Sequence, residues 1–210
     1  MIFSENLLLC IAVPLAIAIP FLRGNTRRFP VCFLLGLGVC LLSAYISGFF
    51  NMAFAMDGRD TAIYISPVIE EIMKLLPLIF YMFVFLPSDE ELLHSAIAIG
   101  VGFATFENCC YLLTMGTESL SFTMIRGFAV GVMHVVSILF VTFGLVLERR
   151  FHSLSAPEVI GALALSTAFH GLYNLLVSQP GIPSYIGYGL PLVTAALLYF
   201  LFRKLRGFSA

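Results

Sequence analysis

Ionisable side chains occur inside several long apolar stretches of this 210-residue chain. They are Glu70, Glu71, Lys74, Glu107, Arg126, His134 and His170. A charged side chain near the centre of a bilayer costs about 2.5–3.5 kcal/mol on insertion scales, so such residues normally face a bundle interior, solvate one another and mark a functional site. Carboxylates and imidazoles are also the groups that most often transfer protons in catalysis. The set therefore predicts a polar site with proton chemistry among membrane helices.

The spacing of the first three residues predicts how they divide between helix faces. Glu70 and Lys74 are four residues apart on one face, which favours an internal ion pair between them. Glu71 points about 100° away, toward a neighbouring helix. The alternative without a catalytic role is that Glu70 and Lys74 form a structural ion pair that fixes helix packing.

Two further pairs with a spacing of four residues point inward from later segments. They are Glu107 with Tyr111 and His170 with Asn174. Tyr111 and Asn174 are expected to supply supporting hydrogen bonds. Arg126 lies two turns from His134 in the same predicted span, where its guanidinium could neutralise a carboxylate or hold a substrate carbonyl group.

The composition shows which elements must position these side chains. Apolar residues make up 60% of the chain and charged residues 11%, whereas soluble domains average about 45–50% and 25%. A net charge of −1 offers no basic surface for nucleic acid. A transmembrane helix needs about 20 apolar residues, and the pattern predicts an all-α, polytopic bundle of about seven transmembrane helices in a single domain, 1–210. The predicted spans are residues 3–22, 29–52, 62–86, 92–115, 120–147, 158–178 and 185–202, with the motif-bearing core at about 62–178.

The basic residues between these spans predict the orientation. With seven spans, eight of them fall on one side, namely Arg23, Arg27, Arg28, Arg149, Arg150, Arg203, Lys204 and Arg206, and only Arg59 falls opposite. The positive-inside rule then places the N-terminus outside and the C-terminus in the cytoplasm. At 1.5 Å per residue, Glu70, Glu107 and His170 each lie roughly 12 Å below the outer membrane surface, with His134 somewhat deeper. Four helices thus bring polar groups to one layer in the extracytoplasmic half.

At these residues the sequence resembles the PrsW-type intramembrane proteases, within the CAAX-protease and bacteriocin-processing superfamily. The matching segments are Glu70-Glu71-Ile72-Met73-Lys74 (E-E-x-x-K), Phe106-Glu107-Asn108-Cys109-Cys110-Tyr111 (F-E-x-x-x-Y), His134, and His170-x-x-x-Asn174. The wider superfamily usually has E-E-x-x-x-R, so Lys74 favours the PrsW branch over prenyl-protein processing. The resemblance covers about residues 67–174.

The resemblance implies a hydrolase that cuts peptide bonds of membrane-anchored proteins, such as single-span anti-sigma factors, near the extracytoplasmic face. A multi-pass protein of the bacterial plasma membrane, in contact with the lipid bilayer and a membrane-anchored substrate, is the expected setting. The competing hypotheses are a proton- or ion-coupled transporter that uses the buried cluster and a catalytically silent scaffold.

Two mechanisms are compatible with the same residues. In the first, Glu70 or Glu71 is the general base, with Glu71 preferred because Lys74 is expected to hold Glu70. His170 and Asn174 would then bind the oxyanion, while His134 orients the water or protonates the leaving amine.

The second mechanism uses a metal ion. Glu107, His134 and His170 belong to the ligand class of catalytic zinc, which leaves one coordination position for water. One glutamate of the Glu70/Glu71 pair would then be the base. The sequence leaves the glutamic and the zinc-dependent mechanism open.

Overall fold

The computed structural model describes Leu8, Ile11, Leu15, Ile19 and Leu22, followed by residues 25–115, 120–151 and 155–207. Within these ranges the chain is almost entirely helical and contains no strand. The six long helices of the described chain are α1 (Asn25–Phe54), α2 (Ser66–Phe85), α3 (Asp89–Met115), α4 (Leu120–Phe151), α5 (Ser155–Val177) and α6 (Ile182–Gly207). The predicted all-helical architecture is therefore confirmed.

Five of these helices, all except α2, are long and apolar enough to cross a membrane. Helix α2 differs because its 20 residues include three charges, Glu70, Glu71 and Lys74. The multi-pass character of the protein thus agrees with the prediction. The predicted first span, residues 3–22, lies outside the described residues apart from the five isolated positions, so the count of seven and the orientation of the termini stay predictions.

The helices extend past the apolar runs from which their bounds were predicted. Helix α3 begins at Asp89 instead of residue 92, and α4 ends at Phe151 instead of residue 147. The start of α3 is a capping box, in which Ser88 Oγ accepts from the Glu91 backbone N–H at 3.2 Å and Glu91 Oε2 accepts from the Ser88 backbone N–H at 2.9 Å. Polar residues therefore continue a helix beyond its apolar part wherever capping satisfies the terminal amides.

The segment before α2 is helical, although residues 57–60 fall in the gap between the predicted spans 29–52 and 62–86. Asp57 Oδ1 accepts from the Asp60 backbone N–H at 2.7 Å and caps one helical turn, Gly58–Asp60. The chain then continues as a π-helical turn, Thr61–Ile65, directly into α2. Such wide turns are often found next to functional sites, and this one leads to the helix that carries the paired glutamates.

Glycines at the crossing of α1 and α3 allow the two backbones to approach very closely. A Cβ atom added at Gly36 would lie 2.2 Å from the Ile99 carbonyl oxygen, and one at Gly102 would lie 2.2 Å from the Phe33 carbonyl oxygen. An apolar core of α1–α5 side chains, including Leu78 and Ile138, packs beside the polar residues of α2–α5. Because this apolar core packs α2, α3, α4 and α5 together, the ionisable side chains that point inward from these helices come into contact.

Candidate functional site

An ion pair between Glu71 and Lys74 occupies the centre of the bundle. Both side chains are 0% exposed, and Lys74 Nζ donates to Glu71 Oε1 at 2.6 Å. The expected pair between Glu70 and Lys74 is not formed. Residues three apart on a helix are neighbours as well as residues four apart, and Lys74 pairs with Glu71, which also contacts Ser166 and His170 on α5.

The ammonium group of Lys74 uses all three of its donors. Besides Glu71, Lys74 Nζ donates to Ser137 Oγ at 3.0 Å and to His134 Nδ1 at 3.2 Å, both on α4. Lys74 therefore links α2 to α4 and holds one nitrogen of the His134 ring.

Both carboxylate oxygens of Glu71 accept hydrogen bonds. Its Oε2 accepts from Ser166 Oγ at 2.8 Å, and its Oε1 accepts from His170 Nδ1 at 2.7 Å, both on α5. A carboxylate that binds Nδ1 fixes the tautomer and the ring orientation of a histidine, leaving Nε2 available for chemistry. In this arrangement Glu71 positions His170.

Sequence reasoning missed the two serines of this network. Ser137 follows His134 by three residues and Ser166 precedes His170 by four, so both lie on the histidine faces of their helices. That spacing was the available signal. The signal is weak, because a serine hydroxyl in a transmembrane helix often bonds only to the backbone of its own helix.

Glu70 has the least satisfied carboxylate of the site. Its side chain is 17% exposed, and Oε2 is buried without a hydrogen-bond partner among the described residues. This oxygen lies 3.7 Å from His170 Nε2. One donor atom from each of Glu70, His134 and His170 lies within 4.8 Å of the others, which forms a group that could hold a metal ion.

Glu107 lies on the other side of His134. Its Oε2 accepts from His134 Nε2, and its Oε1 lies 3.6 Å from Arg126 Nη2. The structure thus groups Glu70, and not the expected Glu107, with the two histidines as donors. Glu107 instead contacts the ring of His134 and the guanidinium of Arg126, and its expected role as a metal ligand stays a prediction.

Arg126 is supported from two sides on α3. Its guanidinium carbon lies 3.3 Å from the centroid of the Tyr111 ring, and Nη1 donates to Asn108 Oδ1 at 2.7 Å. Tyr111 therefore supports a cation, as a stacking platform and not as a hydrogen-bond partner. Asn108 was not predicted as part of the site.

Asn174 is turned toward the π-helical segment. Its Nδ2 donates to the Ala62 carbonyl oxygen at 2.9 Å, which joins α5 to the chain before α2. The described hydrogen bond of Asn174 is thus structural and differs from the expected role beside His170.

The arrangement as a whole separates two kinds of groups. Glu71 and Lys74 are fully satisfied, whereas the partly exposed side chain of Glu70 has a buried oxygen without a hydrogen-bond partner among the described residues, next to an imidazole nitrogen. A free carboxylate oxygen beside an oriented imidazole can accept a proton from water or bind a cation.

Comparisons with known proteins agree with this chemistry. A family model described as PrsW family intramembrane metalloprotease matches residues 26–202, which span the helices from α1 to α6. No curated protein and no solved structure matches the chain.

Proposed function

The chain belongs to the PrsW family of intramembrane metalloproteases, and from its site we infer that it hydrolyses a peptide bond of membrane-anchored proteins through a water molecule activated by a glutamate. The observation that supports this proposal best is the free Oε2 of Glu70, 3.7 Å from His170 Nε2. A water molecule between these two atoms would have a proton acceptor on one side and an oriented imidazole on the other.

Glu70, and not Glu71, is the glutamate that we assign to the reacting atoms. Glu71 accepts hydrogen bonds from Lys74, Ser166 and His170, so a proton on Glu71 would break contacts that hold α2 against α5. Glu70 can gain and lose a proton without such a loss. The sequence-based preference for Glu71 is thereby reversed.

The residues present also fit the zinc ion that the family description implies. One carboxylate and two imidazoles are the ligand class of catalytic zinc, with an open position for water. Glu71 accepts from Nδ1 of His170, which orients the ring and leaves Nε2 for a metal ion. Glu70, His134 and His170 would hold the ion. A zinc ion there would supply Lewis-acid chemistry toward a carbonyl group and toward water. Glu107 is then the remaining carboxylate at the site that could accept the proton.

The groups around Glu107 are suited to the charge that develops during amide hydrolysis. In the mechanism without a metal ion, His134 could return a proton to the leaving amine, since its ring lies between Lys74 and Glu107. Arg126 is held rigidly by Tyr111 and Asn108, so its guanidinium could stabilise an oxyanion without reorganising.

The charge asymmetry supports the proposed setting. Because eight basic residues fall on one side of the predicted spans, we place the cleavage near the extracytoplasmic face of a bacterial plasma membrane, on single-span substrates that resemble anti-sigma factors. The transporter alternative is not favoured, since the family membership points to a peptidase.

The proposal is tested by cleavage in phosphatidylcholine liposomes that contain the purified protein and a library of single-span reporter proteins. The Glu70→Gln variant is expected to lose at least about 100-fold in cleavage rate, the lower end of a general base contribution. The matched control is Glu90→Gln, because Glu90 is exposed at the start of α3. Wild-type rates in Glu70→Gln, or proton flux through the liposomes with no reporter cut, would contradict the proposal.

A further inference from the structure

Tyr173 on α5 has a buried hydroxyl group that the proposed mechanism does not use. The residue is 2% exposed and is one of the largest side chains in the interior of the bundle. Its hydroxyl oxygen has no hydrogen-bond partner among the described residues. Buried polar atoms are normally hydrogen-bonded, so an exception calls for an explanation. A phenylalanine would fill the same space without burying an unpaired hydroxyl group, and packing alone therefore does not explain a tyrosine here.

The contacts of the Tyr173 ring place it beside the site residues of α4. The ring packs against three buried apolar residues of α4, namely Ala129, Val130 and Met133. Val130 follows Arg126 by four residues and precedes His134 by four, so these three share one face of the helix. On α5, Tyr173 lies one turn after His170. The ring thus lies against the turn of α4 that separates Arg126 from His134.

The Tyr173 hydroxyl group is also within electrostatic reach of two charged side chains of the site. The charges of Glu107 and Arg126 both act on the phenol. These two side chains are 3.6 Å apart at their closest charged atoms and are 32% and 14% exposed, so a substrate can reach them. A phenol that lacks an acceptor, next to a fixed guanidinium, is suited to donate a hydrogen bond to an oxygen atom that gains negative charge.

We propose that the Tyr173 hydroxyl group donates a hydrogen bond to the carbonyl oxygen of the scissile peptide bond, an inference that rests on the proposed function. When water adds to the carbonyl carbon, the π electrons of the C=O bond move to the oxygen, which becomes an oxyanion. The phenol and the guanidinium of Arg126 then stabilise this charge together. The proton stays on Tyr173, which acts as a hydrogen-bond donor and not as a general acid. The acceptor that the buried hydroxyl group lacks within the described chain is thereby an atom of the substrate.

The Tyr173→Phe variant tests this assignment, because it removes one oxygen atom and keeps the ring. The assay uses phosphatidylcholine liposomes and the reporter that the wild type cuts. Loss of one oxyanion donor lowers kcat by about 100- to 1,000-fold, and since Arg126 remains we expect a fall of at least about tenfold with little change in KM. Tyr185→Phe is the matched control, because Tyr185 is 76% exposed near the start of α6, and it should keep the wild-type kcat.

Two further measurements separate this role from a structural one. The unfolding midpoint of Tyr173→Phe, followed by circular dichroism in detergent micelles, should equal or exceed that of the wild type, because no hydrogen bond among the described residues is lost. The zinc content by elemental analysis should also equal that of the wild type, because Tyr173 is not one of the proposed ligands.

A lower midpoint or a lower zinc content would show that the hydroxyl group supports the fold or the metal site, and would overturn the assignment. A wild-type kcat in Tyr173→Phe would contradict this inference alone and leave the proposed function standing. A wild-type protein that cuts no reporter would contradict the proposed function and this inference together.

Discussion

Replacing Lys74 by methionine should destabilise the protein far more than the loss of an ordinary ion pair. Lys74 is 0% exposed and donates to Glu71, Ser137 and His134, at 2.6, 3.0 and 3.2 Å. Methionine has a similar length and no charge, so the substitution leaves the Glu71 carboxylate buried without its cation. Removing one partner of a buried ion pair costs about 3–5 kcal/mol. We therefore expect the folding equilibrium constant to fall by a factor of roughly 100 or more.

A double-mutant cycle shows whether this loss comes from the pair. Glu71→Gln alone leaves the ammonium group of Lys74 without its charged partner and should also destabilise. The combined Lys74→Met, Glu71→Gln variant removes both charges, so it should be less destabilised than the sum of the two single variants by about 2 kcal/mol. Unfolding is followed by circular dichroism in detergent micelles, since the chain has no tryptophan for fluorescence.

The control is an ion pair at the surface of the same bundle. Arg28 Nη1 lies 2.8 Å from Glu91 Oε1, with side chains 31% and 34% exposed, and such pairs contribute about 0.2–1 kcal/mol. Arg28→Met should therefore cost about 1 kcal/mol or less. If Lys74→Met costs no more than Arg28→Met, or if the cycle gives no coupling, the reasoning that Lys74 holds the centre of the site is refuted.

Two further predictions concern the metal and the helix crossing. Purified wild type should contain about one zinc ion per chain by elemental analysis, as expected for three protein ligands with one open position. His170→Ala and Glu70→Gln should lose the ion and Glu107→Gln should keep it, whereas a folded wild type without zinc would leave Glu70 as the base. Gly102→Ala should lower the unfolding free energy by about 1–3 kcal/mol, because its Cβ would lie 2.2 Å from a backbone oxygen of α1. Gly38→Ala, where a Cβ meets nothing within 4 Å, should be nearly neutral, and equal effects of the two substitutions would contradict the close crossing.

The sequence indicated which ionisable side chains meet, but not which of them form hydrogen bonds with each other. Charged residues inside apolar helices are few and therefore easy to recognise, and all four motif-bearing helices bring such a residue into one cluster. The choice between Glu70 and Glu71 as partner of Lys74 could not be predicted, because both spacings place the side chains in contact. That choice depends on Ser137 and Ser166, which come from two other helices.

Helix bounds and the role of Asn174 show a different limit of the sequence. Apolar runs predict where a chain is buried in lipid, but a helix ends where its backbone groups find other partners. The capping box at Ser88 therefore moves the start of α3 outward. Asn174 was predicted from its spacing to His170, yet the π-helical turn places the Ala62 carbonyl oxygen within its reach, and no pattern in the sequence predicted that turn.

The adjacent glutamates explain how a site of this kind can be stable and reactive at once. Consecutive residues on a helix point about 100° apart, so Glu70 and Glu71 enter different surroundings although they are neighbours in sequence. Glu71 receives the cation, a serine and a histidine, and it fixes the geometry. Because Lys74 bonds to Glu71 and not to Glu70, Oε2 of Glu70 is left without a hydrogen-bond partner among the described residues and can bind a proton or a metal ion.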